Sequence, residues 1–290
     1  MNDITMKTLN KPLFELDSEL GESPIWSVSD KAFYWLDIDK GLLYKHPYDS
    51  GKLEVFSLGM KAGCIAPAKN GQLIVATSNG LAYWNEYSGL SERMITFFSE
   101  NDPRMMNDGK VDAKGNFWVG SKGPANTASL YRVNPDFSHQ IIIPNATISN
   151  GLDWAPDEKF FYYCDSGVSK IVRYRFSAQT QAVSNPELFY ERQGCTPDGL
   201  TVDREGNIWT AIWGGSQVVG LRPSGEVFYN IQLPVTLVTS LAFGGPQLNH
   251  LLITTARVGL IPSQLADQPL AGSVFCLELP YQGRPAHQFG

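Results

Sequence analysis

The stretch Lys114-Gly115-Asn116-Phe117-Trp118-Val119 joins a polar turn to a short run of aromatic and β-branched residues. The pattern occurs six times along the chain, at residues 29–35, 69–75, 114–119, 157–163, 204–209 and 249–254. Gly, Asn and Asp favour turns, and the residues that follow have shapes suited to a half-buried strand. Each copy therefore predicts a β-hairpin. The copies start about 40 to 47 residues apart, close to the roughly 40 to 50 residues of known propeller repeats.

An apolar segment precedes each turn, and a further alternating stretch usually follows the hairpin, so each repeat predicts four short strands. Six such units form a six-bladed β-propeller with four-stranded blades around a central channel, an all-β fold. A β-sandwich is the alternative, but sandwiches rarely show six equal long repeats. No linker divides the chain. We therefore expect one propeller domain over residues 1–290, with about residues 1–13 flexible or completing the last blade.

Composition excludes several classes of partner. The 290 residues contain 23 Lys and Arg against 29 Asp and Glu, a formal charge of −6, which argues against binding nucleic acid or anionic lipid. The longest apolar runs are strand-sized, far below the roughly 20 residues of a membrane helix, and no signal peptide is readable. We expect a cytoplasmic monomer or weak homodimer that binds a small molecule, with no nucleic-acid or membrane partner.

Common catalytic motifs are missing from the sequence. Its four Cys and four His residues are scattered, with no C-x-x-C pair and no H-E-x-x-H motif. It contains no G-x-S-x-G elbow, Walker A loop or G-x-G-x-x-G fingerprint either. Most histidine-based hydrolysis is thereby excluded.

Four polar residues recur roughly one strand length before a turn signature, and they are Glu22, Asn107, Asn150 and Asp198. In a propeller this shared spacing places them at one level of the channel. Two carboxylates and two amide oxygens suit a hard divalent cation. The alternative is that Asn-Gly and Asp-Gly pairs are simple turn formers. The common register favours the metal site, whereas Asp153, Asp165 and Asp203 fall out of register and are interpreted as turn or hydrogen-bonding residues.

The chain resembles the senescence marker protein/regucalcin/gluconolactonase family. The similarity is carried by Glu22-Ser23-Pro24, Tyr34-Trp35-Leu36-Asp37-Ile38, Asn107-Asp108-Gly109-Lys110-Val111-Asp112, Ser149-Asn150-Gly151-Leu152 and Pro197-Asp198-Gly199-Leu200, and it covers about residues 16 to 289. It implies a six-bladed propeller that binds one divalent metal and hydrolyses lactones, mostly of sugar acids. It further implies that Glu22, Asn150 and Asp198 are metal ligands and that Asn107 contacts substrate or water.

Two departures from the family pattern concern substrate binding. Aldonolactone-active members often carry Arg-x-Asn before the Asp-Gly pair, but here Met105 holds the Arg position and Arg104 is displaced by one residue. In a strand, such a shift points the side chain to the opposite face. After Gly120 the family commonly has Thr-Met and an acidic residue, whereas this chain has Ser121-Lys122. We expect Asn107, Arg104 and Lys122 to contact substrate, and a less polar lactone is compatible with the change.

The leading hypothesis is metal-assisted hydrolysis of a sugar-acid lactone or related small lactone, as in gluconolactonases. Asp198 is the expected catalytic carboxylate, since it can bind the metal through one oxygen and accept the proton of water with the other. Calcium is the first choice of ion, with Zn, Mn, Mg and Fe as alternatives. The rival hypothesis is a non-catalytic calcium-binding regulatory propeller, which would bind metal and hydrolyse no lactone.

Overall fold

Each of the six turn signatures connects the first and second strands of one β-sheet in the computed structural model, which describes residues 4–290. The first strands in chain order are β1 Thr5–Thr8, β2 Gly21–Ser27, β3 Ala32–Asp37, β4 Leu42–Pro47, β5 Glu54–Ser57, β6 Ala62–Pro67, β7 Leu73–Thr77, β8 Gly80–Asn85, β9 Gly89–Thr96, β10 Met105–Val111, β11 Phe117–Lys122, β12 Ala128–Val133 and β13 His139–Ala146. The remaining strands are β14 Ser149–Trp154, β15 Phe160–Asp165, β16 Lys170–Ser177, β17 Ala182–Glu191, β18 Thr196–Val202, β19 Ile208–Trp213, β20 Gln217–Leu221, β21 Val227–Gln232, β22 Val238–Gly244, β23 His250–Thr255 and β24 Phe275–Glu278.

The sheets form a six-bladed propeller, which confirms the predicted fold. Blades one to four consist of β2–β5, β6–β9, β10–β13 and β14–β17, each antiparallel throughout. Blade five consists of β18–β21, and blade six of β22–β24. The described residues add only a short helix, α1, at Pro262–Asp267 and a 3₁₀ turn at Ser166–Val168. No helix in residues 4–290 is long and apolar enough to cross a membrane.

The described part of the N-terminal segment contacts two blades, five and six. Strand β1 pairs in parallel with β21 and becomes a fifth strand of blade five. Residues 1–3 lie outside the described part. The segment reaches blade six at Leu13 and Phe14, whose backbone N–H groups donate to the carbonyl of Val274 at 2.8 and 3.2 Å. The outer edge of β21 offers unpaired backbone groups, and four residues of β1 satisfy them.

The innermost strands β2, β6, β10, β14, β18 and β22 close the ring, because each contacts the innermost strands of both neighbouring blades. The backbones of neighbouring innermost strands approach each other closely where one of them has a glycine. A Cβ atom on Gly63 would lie 2.4 Å from the carbonyl oxygen of Met106, and one on Gly151 would lie 2.4 Å from the backbone nitrogen of Leu200. Only glycine allows these backbones to meet.

In blades three and five, the aspartate just before the turn signature forms a hydrogen-bonded cap. In blade five, Asp203 accepts hydrogen bonds from the backbone and side chain of Asn207 and from the indole N–H of Trp209 at 2.9 Å. Blade three repeats the arrangement, with Asp112 accepting from Asn116 and from Trp118 at 2.8 Å. The aspartate thus fixes the turn and also satisfies a buried indole N–H.

Most of the core lies between neighbouring blades. Trp118 of blade three packs with Trp154 and Phe161 of blade four, with ring centroids 5.3 and 5.2 Å apart. Trp209 of blade five packs against Phe243 of blade six. Aromatic contacts of this kind add to the burial of apolar surface, so the large aromatic residues hold the blades together.

The C-terminal segment crosses one end of the channel. Arg284 donates a hydrogen bond to Asp153 Oδ1 at 2.9 Å and another to the carbonyl of Trp154 at 2.7 Å. Farther on, Phe289 is buried and exchanges backbone hydrogen bonds with Pro67 and Lys69. The segment therefore connects blade six, from which it leaves, with blades four and two.

Candidate functional site

The innermost strand of every blade has an interruption of its pairing near its first residues. The register shifts occur at Glu22/Ile25, Ala62/Cys64, Met106/Gly109, Ser149/Leu152, Pro197/Leu200 and Val238/Ser240. Such interruptions re-aim side chains and bend the strand. Because all six fall at the same position of the blade, they create one irregular level around the channel.

The four residues in shared sequence register lie at this level. Asn107, Asn150 and Asp198 stand inside the interruptions of blades three, four and five, and Glu22 borders that of blade one. All four side chains are buried, with exposed fractions of 5 to 7%. The structure therefore brings them to the channel wall, and their roles as ligands or substrate contacts remain predictions.

Asn150 and Asp198 touch directly. The amide nitrogen of Asn150 donates hydrogen bonds to Asp198 Oδ1 and, at 3.0 Å, to Ser166 Oγ. These bonds fix the orientation of the amide. The other end of the amide, Asn150 Oδ1, is buried and has no partner in the described structure. A buried carbonyl oxygen without a donor is costly, so this atom is suited to bind a cation.

Glu22 is held by its own strand. The backbone N–H of Ser23 donates to Glu22 Oε2 at 2.9 Å, and Ser23 Oγ accepts from the backbone of Ile65 at 2.9 Å. Ser23 has a φ of +50°, a conformation that non-glycine residues adopt at a cost. The strained turn directs the carboxylate of Glu22 and links blade one to blade two.

The negative charges of Glu22 and Asp198 are not balanced by the positively charged side chains around them. Burial raises the pKa of Glu22, and the charge of Asp108 raises it further. Burial and the charge of Glu22 raise the pKa of Asp198. Lys122 acts in the opposite direction on both but does not outweigh these effects. A divalent cation would remove this imbalance, because its two charges match those of Glu22 and Asp198.

The donor set fits a hard divalent cation. Two carboxylates and one unpartnered amide oxygen are the ligand types that Ca²⁺, Mg²⁺ and Mn²⁺ take. Among residues 4–290 no group of three His, Cys, Asp or Glu side chains is close enough to hold an ion. The predicted ligand set contains two carboxylates, Glu22 and Asp198, with the amide of Asn150 as its third member, and it stays a prediction.

Asn107 is anchored between two blades, because its amide nitrogen donates to the carbonyl of Ser149 at 2.9 Å. The next residue, Asp108, was not singled out as a site residue. Burial raises its pKa to about 6, and Lys110 acts against the rise. Its carboxylate accepts a hydrogen bond from Gly109 at 2.7 Å. In the sequence, the only indication of a role for Asp108 is its position next to Asn107. An Asp-Gly pair is more simply interpreted as a turn.

A cavity of about 130 Å³ lies farther along the innermost strands, beneath the C-terminal segment. Asp108, Lys110, Asp153 and Arg284 are among its lining residues, together with Trp26 and Trp154. Glu22, Asn107, Asn150 and Asp198 do not line it. Asp108 therefore lies between the predicted metal site and this cavity.

The two remaining predicted substrate contacts, Lys122 and Arg104, differ in whether their charges are already paired. Lys122 ends β11, paired with Met105, and interacts favourably with the charges of Glu22 and Asp198. Arg104 is committed elsewhere: its guanidinium binds Asp102 at 2.9 and 2.8 Å and lies 4.6 Å from the ring of Phe98. Lys122 thus lies beside the predicted metal site, where its contact with substrate stays a prediction, whereas the charge of Arg104 is already paired. A role for Arg104 in substrate binding stays a prediction.

Comparison with known proteins gives the relatives of this chain. A sequence profile described as SMP-30/Gluconolactonase/LRE-like region matches residues 20–257. The chain is 33% identical to 6-deoxy-6-sulfogluconolactonase of Pseudomonas putida, over 92% of this chain and 93% of that protein. It is 31% identical to regucalcin of Danio rerio, over 94% and 95% of the two chains. A solved structure of a calcium-binding protein, regucalcin, from Agrobacterium tumefaciens covers 99% of each chain with a TM-score of 0.93 and 25% identity.

Proposed function

The chain belongs to the SMP-30/gluconolactonase/LRE-like family, and from this membership we propose that it is a divalent-metal-dependent lactonase. Its relatives named for lactonase activity support a lactone hydrolase at the level of the family. The proposed substrate is a sugar-acid lactone or a related small lactone, which is hydrolysed to the hydroxy acid. The proposed ion is calcium, with Zn, Mn, Mg and Fe as alternatives.

The observation that carries this proposal is the buried group of Glu22, Asn150 and Asp198 at one level of the channel, with Asn150 Oδ1 lacking a partner. These three residues would hold the ion. A divalent cation bound there supplies Lewis acidity toward a carbonyl oxygen and makes nearby water more acidic.

The chain's own residues supply the remaining steps. Asn150 orients the carboxylate of Asp198 by donating a hydrogen bond to its Oδ1. One oxygen of that carboxylate would hold the ion, and the other would accept a proton from the attacking water. The amide of Asn107, fixed by the carbonyl of Ser149, orients substrate or water. The buried walls exclude bulk solvent and so strengthen each of these polar interactions.

The experiment is a hydrolysis panel with chelated protein to which single ions are returned. Gluconolactone, pentonolactones, and simple aliphatic and aromatic lactones are offered with Ca²⁺, Mg²⁺, Mn²⁺, Zn²⁺ or Fe²⁺. We expect turnover of at least one lactone that requires the ion. Folded protein that binds an ion and hydrolyses none of the lactones contradicts the proposal.

The second candidate function is a calcium-binding regulatory propeller without catalysis. It is favoured by the likeness to the calcium-binding regucalcin structure. It predicts calcium binding through the same three residues and no ion-dependent hydrolysis in the panel, so the same experiment separates the two candidates.

A further inference from the structure

Lys122 occupies a defined place beside the predicted metal site. It is the last residue of β11 and pairs with Met105, two residues before Asn107. It also forms a bridge to Ile148, two residues before Asn150. Lys122 therefore lies at the junction of blades three and four, at the end of the channel where the polar residues converge.

The ammonium group of Lys122 has no hydrogen bond or ion pair among residues 4–290, unlike two other cations at this end of the molecule. Lys61 binds Asp39 at 2.5 Å, and Arg104 binds Asp102 at 2.8 Å. Burial lowers the pKa of Lys122, and the charges of Glu22, Asp198 and Asp39 act to raise it. Asp39 is itself paired with Lys61, so Glu22 and Asp198 are the carboxylates whose attraction is not already balanced, and neither is hydrogen-bonded to Lys122.

An ion at the site changes the charge balance around Lys122. The charges of Glu22 and Asp198 would then be matched by those of the cation. Asp108, the third carboxylate of the channel, has a favourable interaction with Lys110. The ammonium of Lys122 would be left as an unbalanced positive charge beside the substrate. A neutral lactone that displaced water here would leave this charge desolvated and unpaired, which is unfavourable.

We propose that Lys122 selects lactones that carry an anionic substituent, a carboxylate, sulfonate or phosphate, with which its ammonium pairs. The proposal rests on the lactonase function proposed above and specifies its substrate class. A lysine ammonium is a compact charge with three donors, so it accepts anions of different shape. A charge-assisted hydrogen bond of this kind is stronger than one between neutral groups.

The test compares D-glucono-1,5-lactone with 6-phospho-D-glucono-1,5-lactone and D-glucaro-1,4-lactone, which carry a phosphate and a carboxylate. The selectivity is kcat/KM for each anionic lactone divided by kcat/KM for the neutral one. In Lys122→Met we expect this ratio to fall about tenfold or more, through KM, as expected for a lost hydrogen bond to a charged group. Lys122→Arg should retain most of it. Lys159→Met, at an exposed cation paired with Asp157 on the turn of blade four, should leave the ratio as in the natural chain.

A purely structural role of Lys122 would lower both rates together and leave the ratio unchanged, and that result overturns the proposal. The two anionic lactones separate a preference for phosphate from one for carboxylate. If no lactone is hydrolysed, the proposed function fails and calorimetric binding of D-glucarate decides the role of Lys122. Binding lost in Lys122→Met and kept in Lys122→Arg supports an anion site, whereas equal binding in all three proteins rejects it.

Discussion

At the scale of single residues, the account depends on the division of tasks between the two ends of Asn150 and the two oxygens of Asp198. The amide nitrogen holds Asp198 Oδ1, and the amide oxygen remains without a partner. One end of the amide and one oxygen of the carboxylate are thereby oriented by this hydrogen bond, while the amide oxygen and the other carboxylate oxygen stay available. A pair arranged in this way can hold an ion and accept a proton without moving.

Replacing Asp198 with Asn removes the proposed proton acceptor and keeps the shape of the side chain. We expect kcat for the best lactone to fall by about 10²- to 10⁴-fold, the usual effect of losing a general base. Initial rates at saturating metal measure this. Asp157→Asn, at an exposed turn, is the matched control and should keep the rate. An Asp198→Asn protein of near-normal rate removes Asp198 from the mechanism.

Replacing Asn150 with Ala removes the unpartnered oxygen. In the natural chain, Ca²⁺ at about 100 times its Kd should stabilise the fold by about 2.7 kcal/mol, seen as a higher Tm. The variant should lose most of this shift, because one ligand is gone. Asn70→Ala, on an exposed turn, should keep it. An equal shift in Asn150→Ala would place the ion elsewhere.

The candidate site shows what sequence reasoning could reach at this scale. The common spacing of Glu22, Asn107, Asn150 and Asp198 predicted that they lie at one level of the channel, since the spacing reflects their position on equivalent strands. Their roles at that level stay predictions. Asp108 was missed because its charge interactions join different blades. The pairing of Arg104 with Asp102 depends on the path of a loop, which no periodicity reports.

At the scale of elements, aspartate caps fix the turns of blades three and five. The aspartate that precedes the turn binds the backbone of the turn and the indole of the second strand. The turn signature itself, a polar turn followed by strand-forming residues, is a local pattern that specifies a local structure, and for that reason the six hairpins were predictable. Strand β1 could not be predicted in this way. Its four residues are exposed, and they are ordered by pairing with β21, which is distant in the sequence.

Replacing Asp203 with Ala removes a fully buried cap and leaves the indole N–H of Trp209 without an acceptor. We expect the free energy of unfolding to fall by about 2 to 4 kcal/mol, from several lost hydrogen bonds and one unsatisfied buried donor. Urea denaturation measures the change. Asp157→Ala, at the corresponding exposed turn of blade four, should change it by no more than about 0.5 kcal/mol. Equal effects in both variants would show that the cap is not specifically stabilising.

At the scale of the whole molecule, Asp153 connects distant parts of the ring. Its carboxylate, in blade four, accepts from Lys110 of blade three, from the backbone of Val202 in blade five, and from Arg284 of the C-terminal segment, at 2.8 to 2.9 Å. Burial raises the pKa of Asp153, but Lys110 and Arg284 lower it more, so that it lies below the usual value.

Because the pKa of Asp153 is lowered in the folded protein, the free energy of unfolding should decrease as the pH falls. The stabilisation is fully present above the unfolded pKa of about 4, and it is lost as pH falls through the lower folded value. Arg284→Ala should therefore lower the free energy of unfolding by about 1 to 3 kcal/mol near neutral pH, with a smaller difference toward pH 2. Chemical denaturation between pH 2 and 7 measures it. Arg204→Ala, whose guanidinium meets Gln282 and no carboxylate, should show no such trend. A difference for Arg284→Ala that is constant with pH contradicts the ion pair.

The central claim is that one divalent ion, bound at the level of Glu22, Asn150 and Asp198, is required for lactone hydrolysis. The most direct measurement titrates chelated protein with Ca²⁺ and follows bound metal and turnover of the best lactone in the same samples. We expect turnover to rise in proportion to bound metal and to reach its maximum at one ion per chain. Full turnover in the metal-free protein, or none in the saturated protein, would contradict the account.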